Sequence, residues 1–154
     1  MIIKSKKFNN LTLNELTHRD IEVIRKWKNN NSKFFFKKDD ISSEEQIIWF
    51  NKYLKNSMDY LFIIKKGPKK IGTIGIREYE DNWDIYNVIL ADKEYQGKGY
   101  MSEVLSLLID FAKTIKLMDF TARVLIDNDN IKWYINNHFE IKNKIENYYL
   151  VKKR

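Results

Sequence analysis

The chain has 154 residues, 44% hydrophobic and 14% aromatic, enough for one domain that buries about two thirds of its unfolded surface without a staple. It has no cysteine and only two histidines, His18 and His138, which excludes disulfides, thiolate nucleophiles and cysteine metal sites and makes a metal cofactor unexpected. Its 28 Lys and Arg against 21 Asp and Glu give a formal net charge of +7, a field that draws anionic ligands and repels cationic ones. The basic residues stand beside acids instead of gathering on one helix or loop, so no nucleic-acid partner is expected. Met1 to Lys7 lacks the apolar core of a signal peptide, and no apolar stretch reaches the length of a membrane span; the expectation is a cytoplasmic protein with no membrane partner.

One proline, five glycines and no linker or repeat leave a single domain over 1–154. Leu11 to Leu16 alternates apolar and polar as a strand. Thr17 then stands three residues before Asp20 in a capping box, ahead of Ile21, Ile24 and Trp27 on a first helix. Ser42-Ser43-Glu44-Glu45-Gln46 repeats the capping signal before Ile47, Phe50, Tyr53 and Leu54 on a second. Tyr60 to Lys65, Lys70 to Ile76 and Ile85 to Leu90 are β-rich runs separated by turn residues, which predicts an antiparallel meander. Met101, Val104, Leu105, Leu108, Phe111, Ala112 and Ile115 mark the clearest amphipathic helix. A strand over Phe120 to Ile126, a short helix over Ile131 to Asn137 and strands at Phe139 to Ile141 and Tyr148 to Lys152 complete the order β-α-α-β-β-β-α-β-α-β-β.

The chemistry begins at Tyr95-Gln96-Gly97-Lys98-Gly99-Tyr100-Met101, where a strand passes through a glycine turn into the long helix. The unpaired N–H groups of a first helical turn point outward at the positive end of the dipole, so pyrophosphate is the natural guest. Gly97 and Gly99 remove Cβ atoms where phosphate oxygens must approach, while Gln96 and Lys98 add side-chain donors. The segment is neither a Walker loop nor G-x-G-x-x-G, because Met101 and Ser102 follow. A plain helix-initiating turn is the alternative reading.

Along nearly its whole length the chain resembles the GNAT superfamily of N-acetyltransferases. Gln96, Gly97, Lys98, Gly99, Tyr100 and Met101 match its Q/R-x-x-G-x-G/A acetyl-CoA signature, except that Met101 stands where Gly or Ala is usual. The resemblance implies an α/β (α+β) domain with a mixed, largely antiparallel sheet, direct transfer from acetyl-CoA, and a pantetheine arm paired with Ile89, Leu90 and Ala91. It makes Tyr134, five residues before Phe139, the general acid. An asparagine usually stands seven residues before that tyrosine; Asp127 is there, and Asn128, one place late, carries the role over. His138 fills the usual glycine slot and reads as a helix C-terminal residue favourable to the dipole.

A phenol near pKa 10 is matched within about two units to a thiolate whose conjugate acid is near 8.5. Half-buried packing is the alternative role for Tyr134, and a backbone N–H of the Ile89 to Ala91 strand is the expected oxyanion donor. Where the family often has a glutamate base, ten residues before the signature Gln, the chain has Tyr86, with Asp84 on the same strand face. Neither is a strong base, so deprotonation through ordered water is expected, with Asp84 the candidate carboxylate. A lysine amine costs about 4.6 kcal/mol to deprotonate at pH 7, against about 1 for an amine near 8. That difference and the positive balance favour an anionic acceptor of low pKa.

Ile24-Arg25-Lys26-Trp27-Lys28-Asn29, Ile41 to Gln46 with Trp49-Phe50, and Asn136 to Ile141 resemble the subgroup that acetylates 4-amino sugars on nucleotide carriers, the pseudaminic acid pathway supplying the type case. Ribosomal-protein N-terminal acetyltransferases share the first two blocks and are the alternative, as is a non-catalytic acyl-CoA-binding module. Trp27, Lys28, Asn29 and Phe34 to Phe36 are the expected substrate contacts, and the Phe34-Phe35-Phe36 run also suggests a homodimer surface.

Overall fold

The computed structural model describes residues 1–37 and 39–154. The elements are β1 (Ile2–Lys4), β2 (Leu11–Glu15), α1 (Ile21–Asn30), α2 (Ser43–Lys55), β3 (Asp59–Lys66), β4 (Lys69–Tyr79), β5 (Asn82–Leu90), α3 (Tyr100–Ile115), β6 (Phe120–Leu125), α4 (Asn130–Asn136), β7 (Phe139–Ile145) and β8 (Tyr148–Lys153). The predicted order holds, with β1 added. Three residues are too few to show alternation, and β1 exists because its ladder with β2 pairs Ile2 with Asn14 and Lys4 with Thr12.

One sheet carries all eight strands in the order β1-β2-β3-β4-β5-β6-β8-β7. Every pair is antiparallel except β5 with β6. Helices cover both faces. Phe62 and Ile64 of β3 join Trp83, Ile85, Val104, Leu105 and Leu108 in the main core, where α3 lies. Leu61 and Ile63, pointing the other way by strand alternation, join Leu16, Ile24, Phe50 and Tyr53 beneath α1 and α2. A strand buried on both faces reads as a continuous apolar run, as Leu61 to Ile64 does.

Both capping signals form. Asp20 Oδ2 accepts from the Thr17 N–H at 2.9 Å, and Ser42 Oγ accepts from the Glu45 N–H at 3.1 Å. The face of α2 differs from expectation: Ile47 and Leu54 are exposed, while Gln46, Phe50 and Tyr53 face the second core. Among the described residues no helix is long and apolar enough to cross a membrane.

Candidate active site

The parallel β5–β6 ladder pairs Trp83 with Phe120, Asp84 with Thr121 and Ile85 with Ala122, and ends there, although β5 runs on to Leu90 and β6 to Leu125. The two strands splay apart, opening the sheet at its middle. A bulge in β5 marks the place. Thr73 of β4 faces Ile89 and Gly75 faces Tyr86, so β5 carries one extra residue, accommodated at Asn87 with φ +50°. Two glycines of β4 let the bulged strand lie close. A Cβ on Gly72 would sit 2.2 Å from the Ile89 carbonyl oxygen, and one on Gly75 would sit 2.7 Å from the Tyr86 ring. The Ala91 N–H is spent on the Ile71 carbonyl at 2.8 Å. By alternation the peptide of Leu90 turns to the opposite, open edge, which makes Leu90, among Ile89, Leu90 and Ala91, the residue whose N–H faces the opening.

The glycine turn follows β5. Gly97 and Gly99 have φ +73° and +81°, and nothing lies within 4 Å of a Cβ placed on Gly97. Left-handed backbone with clear space in front is what glycine supplies here. The first bond of α3 runs from the Glu103 N–H to the Gly99 carbonyl at 3.2 Å, so the N–H groups of Tyr100, Met101 and Ser102 have no intrahelical acceptor. Met101, which departs from the signature, packs its side chain against the main core. The Tyr100 ring meets Phe8 edge to face at 4.9 Å, and Gln96 and Lys98 are exposed beside the turn.

On the α1/α2 side of the splay lies a cavity of about 310 Å³ lined by Lys28, Phe34 to Phe36, Lys37, Trp49, Arg77, Asp84 to Val88, Arg123, Val124, Asn128, Asn130 and Tyr134. Tyr134, held between Trp133 at 4.8 Å and Phe139 at 5.3 Å, is 5% exposed. Its hydroxyl hydrogen-bonds no group among the described residues. Burial first, and then the charge of Asp84, push its phenol above the ordinary range. Asn128 is buried on the cavity wall with its Oδ1 accepting from the Asn130 N–H at 2.9 Å, whereas Asp127 is exposed.

Asp84 is buried, and its Oδ2 accepts from Arg77 Nε at 3.1 Å and Arg123 Nη2 at 3.2 Å. It is therefore neither a turn-flanking carboxylate nor an unencumbered one. Tyr86 lays its ring on the cavity floor and crosses Gly75 to give its hydroxyl hydrogen to Asp59 on β3. Burial first, then the nearby Asp59 carboxylate, push the Tyr86 phenol well above its ordinary value, and burial also raises the Asp59 carboxyl. Lys28 Nζ lies 5.2 Å from the Phe35 ring with no acid partner among the described residues. Burial first, then the charges of Arg77 and Lys37, lower it to about 8.

A family model described as an acetyltransferase (GNAT) domain matches residues 10–132. The chain belongs to the GNAT acetyltransferase family. Such enzymes transfer acetyl from acetyl-CoA to an amine. Among solved structures, this GNAT domain is similar to a domain from Methanocaldococcus jannaschii at 23% identity, TM-score 0.80, covering 92% of this chain and 96% of that one. It is similar to spermidine N-acetyltransferase from Vibrio cholerae in complex with CoA and spermine, at 22% identity and TM-score 0.76, covering 94% of each. It is also similar to the acetyltransferase from Salmonella typhimurium that modifies the N-terminal serine of ribosomal protein L7/L12, at 17% identity and TM-score 0.75, covering 99% and 96%. No curated protein matches the chain by sequence.

Of the residues expected to touch substrate in this GNAT chain, Lys28 and Phe34 to Phe36 line the cavity and two others do not. Trp27 packs into the second core, because α1 needs an apolar side against α2. Asn29 donates to the Ile41 carbonyl at 3.1 Å and accepts from the Ile41 N–H at 2.8 Å, bracing the segment before α2. The three phenylalanines line the cavity, and of them only Phe36 is largely exposed, its ring meeting Tyr148 at 5.3 Å. Sequence reasoning passed over Arg77, Arg123 and Asp59. A signal for Arg77 was present: the tight turn at Glu80 and Asp81 puts Arg77 opposite Asp84. For Arg123 and Asp59 nothing local points to the site.

Proposed function

We propose that this GNAT enzyme acetylates the amine of an anionic acceptor, the 4-amino group of a nucleotide-linked amino sugar being the class that fits best. The observation that carries the reading is the charge of the cavity wall. Lys37 is paired with Glu45 at 3.1 Å, but Lys28 has no acid partner among the described residues, and Arg77 and Arg123 share the single carboxylate of Asp84. A polyamine would meet like charges there, so the acceptor of the Vibrio relative does not carry over. A diphosphate-linked sugar would meet complementary ones.

Acetyl-CoA would place its phosphates on the turn at Gln96 to Met101 and its pantetheine arm along the open edge of β5, with Ile89, Leu90 and Ala91. The Leu90 N–H is the candidate oxyanion donor. Tyr134 would give its hydroxyl hydrogen to the departing thiolate, with Asn128 beside it; the burial that raises its phenol also raises the basicity of a thiolate formed next to it, which keeps the pair matched. Asp84 is engaged by two guanidiniums and the Tyr86 hydroxyl by Asp59. Deprotonation of the acceptor is therefore assigned to water, which suffices for an amine near pKa 8 at about 1 kcal/mol.

A second reading, the α-amine of an acidic protein N-terminus, is favoured by the length of the site. A further cavity of about 160 Å³ shares Lys28, Lys37, Trp49 and Asn87 with the first and continues to Ile41, Glu45 and Gln46. The deciding experiment incubates the protein and acetyl-CoA with a nucleotide-linked 4-amino sugar and with acidic ribosomal-protein peptides, and follows the mass gain of one acetyl group. The sugar is expected to react about tenfold faster or more, as differential binding in the transition state requires. Equal rates remove the preference, and faster peptide acetylation establishes the second reading.

A further inference from the structure

Arg77 and Arg123 stand on β4 and β6, the two strands flanking β5, and both reach Asp84 in the middle. They bind the same oxygen, Oδ2, at 3.1 and 3.2 Å, and the Asp84 side chain is only 3% exposed. One carboxylate cannot neutralise two guanidiniums, so the trio carries a net positive charge at the cavity wall. Each arginine also sits over an aromatic ring. Arg77 lies 4.2 Å over the Tyr86 ring, and that ring is fixed by the hydrogen bond from its hydroxyl to Asp59, on the far side of Gly75 and outside the cavity lining. Arg123 lies 4.5 Å over Tyr79 and 5.7 Å from Phe36.

A guanidinium offers five N–H donors in a fixed fork. Arg77 spends only Nε on protein and Arg123 only one Nη, among the described residues. Two planar cations, each set over an aromatic ring and tethered at one edge to Asp84, keep their remaining donors at the cavity at little further entropic cost.

We propose that Arg77 and Arg123, tethered together by Asp84, form a fork that binds phosphate oxygens of the acceptor and thereby selects it. The proposal rests on the reading that the acceptor is anionic. Asp84 is then a positioning residue, and the fork is a second anion site apart from the glycine turn.

The test titrates uridine diphosphate into the full chain saturated with CoA, so that the glycine turn is already occupied. Wild type is expected to bind, with Arg77→Gln and Arg123→Gln each weakening the affinity by about tenfold or more, the loss of a bidentate charge-assisted contact. Arg77→Lys and Arg123→Lys recover only part, since an ammonium lacks the planar fork. CoA affinity measured separately stays the same in all four, which shows that the variants fold. Asp84→Asn raises the acceptor KM more than it lowers kcat; a group acting as base would do the reverse. No binding of uridine diphosphate by wild type, or undiminished binding in both Gln variants, overturns the fork. Failure of the underlying reading is distinct: wild type then acetylates the free 4-amino sugar as fast as its nucleotide-linked form, whatever the variants bind.

Discussion

Lys28 holds its charge on the cavity wall at a cost to stability. Its amine is held at about 8 by burial first and by Arg77 and Lys37 second, so between that value and the ordinary 10.5 the unfolded chain binds more protons than the folded one. Stability withheld below pH 8 is therefore returned as pH rises through that window. Lys28→Met is expected to raise the melting temperature at pH 7 by several degrees, the order set by about 2 kcal/mol. The gain should shrink between pH 8 and 10.5. Melting curves at stepped pH check this, and a constant gain contradicts it. Residue roles were unevenly legible. Tyr134 was singled out by the family resemblance, five residues before Phe139, and the structure sets it on the cavity wall. Trp27, expected at the substrate, packs in the second core instead, since a tryptophan at helical spacing reads the same whether it packs or binds.

At the scale of elements, α2 shows where periodicity fails. Ile47-Ile48-Trp49-Phe50 offers four consecutive apolar side chains and hence no unique stripe. The face used is Gln46, Phe50 and Tyr53, with Gln46 Nε2 donating to the Ile21 carbonyl at 3.2 Å. Tertiary contact with α1 chose it. By contrast α3 has a single apolar face, and Val104, Leu105, Leu108 and Ala112 are buried as expected. The end of α4 keeps a measurable strain: His138 is exposed at φ +69°, its N–H bonded to the Ile135 carbonyl at 3.1 Å. That is a left-handed C-terminal position where glycine is at home. His138→Gly is expected to stabilise the protein by about 0.5–1 kcal/mol, read as a rise in denaturation midpoint with unchanged slope. A fall in midpoint would assign the histidine a contact that outweighs its strain.

At the scale of the whole molecule, the sequence shows the order of elements plainly and the active site only in part. The glycine turn is local and could be read. The splay of β5 from β6 is a relation between strands more than thirty residues apart, and the convergence of Arg77 and Arg123 on Asp84 depends on that same pairing. The positive balance of the composition was legible; its concentration at one cavity was not. In the proposed reading the opening of the sheet is the catalytic site, with the glycine turn serving the cofactor, the arginine-bearing wall serving the acceptor and Tyr134 serving the leaving thiolate. The most direct measurement is thiol release from acetyl-CoA with a nucleotide-linked 4-amino sugar, comparing wild type with Tyr134→Phe. Because no protein group bonds that hydroxyl among the described residues, the variant should melt like wild type and keep its KM for acetyl-CoA within about twofold, while kcat falls about a hundredfold or more. An unchanged kcat in Tyr134→Phe, or no thiol release by wild type with any amine offered, would contradict it.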